Sequence, residues 1–144
     1  EANGIMMKAA NYSGKAINIS QTTAAHAMSY KLTSMYGIAH GHAVSLCLPP
    51  VWRFMLDNID QSKNKVAFMS ALKCINECLR TGNSNESLRK IVLLIDSLNL
   101  VKPDLNDNKD IDILCESVNT SRLGNNPISL PKQLIKEIYS NILK

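Results

Sequence analysis

The sequence predicts an all-α domain, a multi-helix bundle, on three observations. Apolar residues recur at helical spacing along nearly the whole chain, and no run of alternating polar and apolar residues is long enough to indicate a sheet. The 144 residues, 45% of them hydrophobic and 19% charged, are enough for one packed core. No apolar run approaches the roughly 18 residues that a membrane helix needs, so we expect a single water-soluble domain.

Three helices are expected in the first part of the chain. The first should end within residues 11–14. The second should run to about residue 35, with Gly37 as its stop. The third should begin near His40, and the Pro49-Pro50 pair inside it predicts a kink or a break. The apolar positions that carry these patterns are Ile5, Met6, Ala9, Ala10, Ala24, Ala25, Met28, Leu32, Val44, Leu48, Val51, Trp52 and Met55.

Two further helices should follow a polar loop at residues 57–64. The fourth should stop at Thr81-Gly82. The fifth is the clearest local signal, because Asn83 can cap it with Glu86 three positions on. Apolar residues at core spacing are Val66, Met69, Leu72, Ile75 and Leu79 in the fourth helix and Leu88, Ile91, Val92, Ile95 and Leu98 in the fifth.

The last part of the chain should hold two more helices. Residues 102–109 are expected to form a polar linker and residues 111–118 a short helix. Residues 121–129 should be a loop, because Asn126-Pro127 cannot continue a helix. Pro131 then lies in the first turn of a closing helix. The inward residues of that helix should be Leu134, Ile135, Ile138 and Ile142.

Charge and motifs argue against two binding functions. The net charge is +4, but lysines and arginines are scattered, and the nearest pair, Lys63 and Lys65, has no interleaved aromatic residue on which bases could stack. We therefore expect no nucleic-acid partner, as we expect no membrane. Because a GxGxxG motif, a P-loop and a βαβ alternation are all missing, this chain alone should not bind a nucleotide well.

The four cysteines fit buried free thiols in a reducing cytoplasm better than a disulfide framework. Cys74 and Cys78 lie four apart on a predicted helix, while Cys47 and Cys115 are distant from each other and lie in apolar stretches. A metal site on Cys74 and Cys78 would need further ligands nearby, and none is evident. We expect a cytoplasmic protein.

Two histidines form the main candidate site. His26 lies among alanines in the second predicted helix, and His40 stands fourteen residues on, beyond the turn at Gly37. Two helices joined by so short a turn could bring both imidazoles to one point, and neutral imidazole suits Zn²⁺ or Fe²⁺. On spacing alone, hydrogen-bonded structural histidines remain the commoner explanation. His42 cannot pair with His40, because residues two apart on a helix point in different directions.

Ligand counting indicates that a metal site would be incomplete in this chain. A catalytic zinc site keeps three protein ligands and one open position. The remaining acidic residues cluster at residues 104–116 without a spacing that suggests a site. Further ligands would have to come from outside this chain. Since the chain opens on Glu1 rather than on methionine, we expect it to be cut out of a longer polypeptide.

The histidine region resembles a known family. The run SGKAINISQTTAAHAMSYKLTSMYGIAHGHAVSLCLPPV places Gly14, His26 and His40-Gly41 as in the C-terminal helical domain of the iron-containing (group III) alcohol dehydrogenases. The closing run VNTSRLGNNPISLPKQLIKEIYSNIL resembles the end of the same family, whereas residues 58–110 match only in helical layout. The likeness is greatest to the branch that includes phosphonoacetaldehyde reductases.

The resemblance implies that residues 1–144 are one helical metal-binding domain of a two-domain enzyme. Family members bind NAD(P) in an N-terminal α/β domain and hold a metal in the cleft between the domains with one aspartate and three histidines. Two of these histidines match His26 and His40, and the other ligands would lie upstream. The implied cofactors are Fe²⁺ or Zn²⁺ and an NAD(P)H held mainly by the absent domain. A homodimer is plausible from the family, and this chain alone should be inactive.

The resemblance also implies roles for four other residues. Many members carry a proton-relay histidine near the nicotinamide where this chain has Tyr30, so Tyr30 could pass a proton, bind a ribose hydroxyl or serve only structure. Ile17 would pack near the nicotinamide. Lys15, helped by His42, could bind an anionic phosphonate or carboxylate substrate, although a solvated surface lysine explains Lys15 as well.

Two functions from different classes therefore remain open at the level of sequence. The first is the C-terminal domain of a metal-dependent, NAD(P)-linked alcohol dehydrogenase or aldehyde reductase. Its candidate substrate is an anionic aldehyde such as phosphonoacetaldehyde. The second is a non-catalytic helical interaction module in which His26 and His40 are structural core residues.

Overall fold

The computed structural model of the chain describes residues 1–107 and 109–143. Over these residues it holds eight α-helices, one short 3-10 helix and no strand, so the all-α prediction is confirmed. The helices are α1 (Ala2–Ile19), α2 (Ala24–Tyr36), α3 (His40–Asp57), α4 (Lys65–Leu79), α5 (Ser84–Ser97), α6 (Asp110–Glu116), α7 (Thr120–Gly124) and α8 (Lys132–Ile142), with the 3-10 turn at Ile59–Gln61.

The larger core cluster joins α2, α3, α6 and α8. Its centre is Tyr139, which is fully buried and donates a hydrogen bond to the Met28 carbonyl at 2.8 Å. Burial raises the pKa of the Tyr139 phenol, as expected for a group whose ionised form is poorly solvated. Three of the four residues predicted to face inward on α8 are buried, Ile135, Ile138 and Ile142, whereas Leu134 is half-buried and packs against the cluster.

A smaller core cluster joins α3 to α4 and α5. It consists of Trp52, Phe68, Leu72, Leu88 and Ile128. Because α3 contributes to both clusters, it is the central helix of the fold.

Helix α3 runs unbroken through Pro49-Pro50, so the alternative of a break at this pair was wrong. Two prolines in a helix interior remove two backbone donors and crowd the preceding turn. Burial of Cys47, Val51 and Trp52 on both sides of the pair offsets that cost, because the apolar area removed from water stabilises the continuous helix.

Helix α1 is longer than expected and is exposed along its whole length. It continues to Ile19, past the end predicted within residues 11–14, and Ser20 closes it by donating to the Ala16 carbonyl at 2.9 Å. Gly14 inside it costs only about 1 kcal/mol relative to alanine, which a helix can absorb. None of its residues is buried.

Fewer apolar residues of α4 and α5 are buried than their spacing predicted. Val66 is 82% exposed and Leu98 57% exposed, while Phe68, which the pattern missed, is buried. Helix α4 packs mainly against α5, so only one side of it has apolar neighbours. The predicted cap is confirmed: the Asn83 side chain accepts from the Glu86 N–H at 3.0 Å, and the Glu86 carboxylate accepts from the Gly82 N–H at 2.8 Å.

Residues 120–124 form the short helix α7, where the sequence predicted a loop. Asn119 caps this helix, because its side-chain oxygen accepts from the Arg122 N–H at 2.9 Å. Residues 125–130 are irregular as expected, and the buried Asn126 amide donates to the Ile128 carbonyl at 2.7 Å. Because α7 packs on α2, it brings Arg122 close to the histidines.

The cysteines are all free, but only Cys47 is fully buried. Burial raises the pKa of the Cys47 thiol to about 12. Cys115 is partly buried, and Cys74 and Cys78 are exposed, so the expectation of buried thiols was wrong for that pair. Within the described residues, no helix combines the length and the hydrophobicity that crossing a bilayer requires.

Candidate metal and substrate site

The turn between α2 and α3 brings the two candidate histidines together. Gly37 ends α2 in the left-handed region at a φ of 65°, where a side chain would be strained, and its N–H donates to the Thr33 carbonyl at 3.0 Å. Helix α3 starts three residues later, at His40. Because the two helices pack side by side, the His40 ring comes to lie beside His26 in the second helix.

The facing nitrogens of the two rings are close enough to share one ion. His26 Nδ1 and His40 Nε2 are 3.1 Å apart. Two nitrogens bound to the same zinc ion at ~2.0–2.1 Å each can be at most about 4.2 Å apart, so this spacing fits a shared ion. It also fits a hydrogen bond between two neutral imidazoles. The donor set therefore suits Zn²⁺ or Fe²⁺ without demanding it.

Ser29 orients the His40 ring. Its hydroxyl donates to the His26 carbonyl at 2.9 Å and lies 3.4 Å from His40 Nδ1. Since its single proton is used on the carbonyl, the oxygen is left to accept from an Nδ1–H of His40. That tautomer leaves the Nε2 lone pair of His40 directed toward His26. A buried hydroxyl in this position acts as outer-shell partners of metal-bound histidines do.

The surroundings of His26 favour its neutral form. Burial lowers the pKa of this imidazole, and the nearby His40 and Arg122 lower it further. Neutral imidazole is the form that binds a metal ion, so a depressed pKa keeps His26 competent as a ligand.

Tyr30 and Arg122 extend the site away from the histidines. The Tyr30 ring stacks on the His40 ring, with 5.1 Å between centroids and 18° between planes. The Arg122 guanidinium carbon lies 4.6 Å from the Tyr30 ring centroid, and Arg122 Nη1 donates to the Tyr30 hydroxyl. A cation over an aromatic face is attracted by the ring quadrupole.

These residues line one side of an open cleft. It lies between the end of α1, α2, the start of α3 and α7. Asn125 links two of these elements, because its amide donates to the Thr22 carbonyl at 3.3 Å. The described residues of the lining include no Asp or Glu; they are Ile17, Ser20, Gln21, Thr22, His26, Tyr30, His40, Ser121, Arg122 and Asn125.

Four of the six residues singled out in the sequence meet in this cleft. His26, His40, Tyr30 and Ile17 line it. Lys15 and His42 do not. The Lys15 ammonium lies 5.8 Å from the ring centroid of Tyr12 on the same helix, and His42 Nε2 is buried without a hydrogen-bond partner among the described residues. Their role toward an anionic substrate stays a prediction.

Sequence reasoning missed Ser29 and Arg122. Ser29 lies three residues after His26, on the same helix, so helical spacing could have indicated it. Arg122 is 92 residues from Tyr30 along the chain and reaches it only through the packing of α7 on α2. No local signal in the sequence predicts that contact.

A larger groove lies elsewhere, between α3 and α5. Its lining combines apolar residues with arginines, among them Pro49, Pro50, Arg53, Leu88 and Arg89. It contains no histidine or cysteine, and the carboxylate in it, Glu86, is used in the cap of α5. The larger groove therefore offers no histidine or cysteine ligand to a metal ion. The described part of the chain has no cluster of three or more His, Cys, Asp or Glu side chains that could hold an ion.

Comparison with known proteins identifies the family. The family model described as "Fe-containing alcohol dehydrogenase family, C-terminal" matches residues 1–143. The chain belongs to the Fe-containing alcohol dehydrogenase family, with its match in the C-terminal part of that family.

One curated relative matches part of the chain. It is the phosphonoacetaldehyde reductase of Streptomyces viridochromogenes, with 45% identity over 49 residues. The matched stretch covers 34% of this chain and 12% of the length of the relative, so the chain matches only a small part of that reductase.

Proposed function

We propose that this chain is the C-terminal helical domain of a metal-dependent, NAD(P)-linked alcohol dehydrogenase or aldehyde reductase. In that role it supplies two metal ligands, His26 and His40, and one wall of the substrate cleft. The observation that carries the proposal is the 3.1 Å separation of two facing imidazole nitrogens at the edge of a cleft, in a chain of the Fe-containing family.

His26 and His40 are the residues of this chain that would hold the ion. Fe²⁺ or Zn²⁺ would supply a Lewis acid for the substrate carbonyl, and a nicotinamide would exchange hydride with its carbon. Ser29 keeps the His40 ring in the tautomer that exposes Nε2. The pKa of His26 is lowered by burial and then by the neighbouring His40 and Arg122, which favours the neutral imidazole that binds a metal ion.

Tyr30 is placed to move a proton at the cleft. Its hydroxyl oxygen accepts from Arg122, so the proton of the phenol stays available for another acceptor. Its ring lies against the ring of His40, one of the two residues that would hold the ion. In this role Tyr30 donates a proton to the forming alkoxide or takes one from the alcohol. Ile17, at the end of α1, is the candidate for packing near the nicotinamide.

The rest of the site would come from outside this chain. Residues 1–144 form one helical domain, and an upstream α/β domain would contribute the NAD(P)H site with an aspartate and a further histidine as ligands. The α/β domain, the aspartate and the further histidine are what the resemblance to the family implies, and ligand number agrees, since two histidines are fewer than the three protein ligands of a catalytic zinc site. Assembly as a cytoplasmic homodimer is part of the same proposal.

An aldehyde that carries an anionic group is the proposed substrate class. Two observations support it: the partial relative is a phosphonoacetaldehyde reductase, and the described lining of the cleft contains a cation and no carboxylate. Lys15 and His42 are the residues that the sequence analysis proposed for this anionic group, and neither of them lines the cleft.

Metal content tests the proposal most directly. The complete polypeptide should be purified with and without His26→Ala and His40→Ala and assayed for iron and zinc by elemental analysis. We expect close to one ion per chain in the unaltered protein and at least a tenfold loss in either variant, because each removes an inner ligand. His42→Asn is the matched control and should keep its ion.

The competing function is a helical interaction module without catalysis. It predicts little or no bound iron or zinc in the complete polypeptide, or equal metal content in all the histidine variants. Either result would reject the enzyme proposal. Reduction of an aldehyde by NADH or NADPH, lost in both histidine variants, would reject the interaction module.

A further inference from the structure

Arg122 is the cation of the described cleft lining. Its guanidinium contacts the Tyr30 ring, and that ring in turn contacts the His40 ring. The guanidinium is therefore one aromatic ring away from the candidate metal ligands. A small aldehyde bound at the histidines would lie within reach of this positive charge.

The guanidinium is not neutralised by a neighbouring carboxylate. Within residues 1–107 and 109–143, ion pairs form at Arg53, Lys65 and Lys136 but not at Arg122. Its side chain has one acceptor there, the Tyr30 hydroxyl, out of the five N–H donors that a guanidinium carries. The remaining donors form the planar fork that matches a phosphonate or carboxylate.

The local structure holds Arg122 at this place. Asn119 caps α7 by accepting from the Arg122 backbone N–H at 2.9 Å, and Asn125 ties the end of α7 to the Thr22 carbonyl. Stacking on Tyr30 restrains the side chain as well. A positioned guanidinium loses less conformational freedom on binding an anion than a free one does.

We propose that Arg122 is a specificity-determining residue that binds the anionic group of an aldehyde substrate whose carbonyl faces His26 and His40. The inference rests on the proposed reductase function for its substrate, but the anion site itself rests on the position of Arg122. It takes the role that Lys15 was predicted to fill. The chemistry recognised is a tetrahedral phosphonate or a planar carboxylate next to an aldehyde.

Lys15 provides a rival explanation and a matched control. It lies on the exposed helix α1, with its ammonium near the Tyr12 ring, and it does not line the cleft. A lysine is a flexible point charge, whereas an arginine presents a fixed fork. If Lys15 binds the anion in the complete protein, its removal and not that of Arg122 will change substrate preference.

The kinetic test compares charged and neutral aldehydes. The complete polypeptide and its Arg122→Gln, Arg122→Lys and Lys15→Ala variants should be assayed with phosphonoacetaldehyde, succinate semialdehyde and butanal. We expect Arg122→Gln to raise KM for the preferred anionic aldehyde by roughly 10- to 100-fold, because a charge-assisted hydrogen bond is lost. Because Arg122 also donates to the Tyr30 hydroxyl, Arg122→Gln should lower kcat for all three aldehydes, and the anion site is measured by the rise in KM for the anionic aldehyde relative to butanal. Arg122→Lys should recover part of that rise.

The two anionic substrates separate the two ligand classes. A larger rise in KM for phosphonoacetaldehyde than for succinate semialdehyde assigns Arg122 to a phosphonate, and the reverse assigns it to a carboxylate. Equal changes in KM for all three aldehydes would show that Arg122 serves only the structure of Tyr30. A loss of preference in Lys15→Ala, with Arg122→Gln unaffected, would transfer the role to Lys15. Each of these last two results overturns the inference.

A binding test keeps the inference separate from the reductase proposal. Phosphonoacetate, an anion without an aldehyde, should be titrated into the complete polypeptide by calorimetry. We expect binding that weakens at least tenfold in Arg122→Gln and persists in Lys15→Ala. Binding of this kind in a protein that reduces no aldehyde would leave the anion site standing while the reductase proposal fails. Absent or Arg122-independent binding would overturn the anion site.

Discussion

At the scale of single residues, the hydroxyl of Ser29 favours the tautomer of His40 in which the Nε2 lone pair faces His26. It is fully buried, it uses its only proton on the His26 carbonyl, and its oxygen lies near His40 Nδ1. One small side chain therefore contacts both candidate ligands. Replacing the Ser29 side chain should therefore change metal binding more than it changes the stability of the fold.

Replacement of Ser29 by alanine should weaken metal binding while the fold is retained. The alanine removes the acceptor that fixes the tautomer of His40, and loss of such an outer-shell partner costs about 10- to 100-fold in metal affinity. The measurement is the dissociation constant for zinc in the complete polypeptide, from competition with a chelator. Ser45→Ala is the control, because Ser45 also donates to a carbonyl three residues earlier, that of His42, but lies outside the cleft. A zinc affinity that falls equally in both variants would contradict this role.

At the scale of helices, the fraction of a helix that is exposed depends on how many other helices pack against it. Helix α3 has core clusters on more than one side, whereas α4 packs mainly on α5 and α1 has no buried residue. Apolar spacing measures the hydrophobic stripe of a helix but not the number of helices that cover it. This difference places Cys47 in the interior and Cys74 and Cys78 on an exposed face.

The cysteines of α3 and α4 should therefore react at different rates with an alkylating reagent. Only a thiolate is alkylated, and burial raises the pKa of Cys47 to about 12, so Cys47 should stay protonated and protected as the pH is raised from 7 to 10. Cys74 and Cys78 are exposed and should be labelled throughout this range. Site-resolved mass spectrometry after iodoacetamide treatment gives both rates. Denatured protein is the control in which Cys47 should react as fast as the other two; native Cys47 labelled as fast as Cys74 would show that α3 is not packed as described.

Strong local signals were enough to predict several elements. Gly37, the Asn83 and Glu86 cap, and the apolar face of α8 each act within one or two helical turns, and each was predicted. Helix α7 was missed because a five-residue helix gains little from its own hydrogen bonds and depends on its cap and on packing against α2. Phe68 was missed because the choice between faces of α4 is made by its neighbours.

In the candidate site, too, contacts made close together in the sequence could be predicted and a distant contact could not. His26 and His40 are joined by one short turn, so their meeting follows from local geometry. Arg122 comes from a distant part of the chain, and no local pattern places it against Tyr30. The two candidate ligand residues could thus be predicted from the sequence, while the residue proposed to select the substrate could be found only from the tertiary structure.

At the scale of the whole molecule, the cleft and the core share one helix. His40 is the first residue of α3, and α3 packs in both core clusters. A ligand that binds the folded state and not the unfolded state stabilises the fold by mass action. Metal binding at the cleft should therefore stabilise the domain as a unit rather than only its edge.

Removal of the metal should lower the thermal stability of the complete polypeptide. An ion at 100 times its dissociation constant contributes about 2.7 kcal/mol, so chelation by EDTA should lower the Tm by several degrees. Differential scanning calorimetry before and after EDTA, with zinc added back, measures the change. The His26→Ala/His40→Ala variant is the control and should show no dependence on EDTA. A Tm that is insensitive to EDTA in the unaltered protein, or equally sensitive in the variant, would count against the shared site.

The turn at Gly37 makes the site sensitive to insertions and deletions. Successive residues of an α-helix point about 100° apart, since a turn takes 3.6 residues. One residue added or removed in residues 37–39 would shift the start of α3 relative to α2 and turn the His40 ring away from His26 or force the helix to repack. We therefore expect the site to tolerate substitutions at exposed positions away from the cleft better than any change in the number of residues between the two histidines.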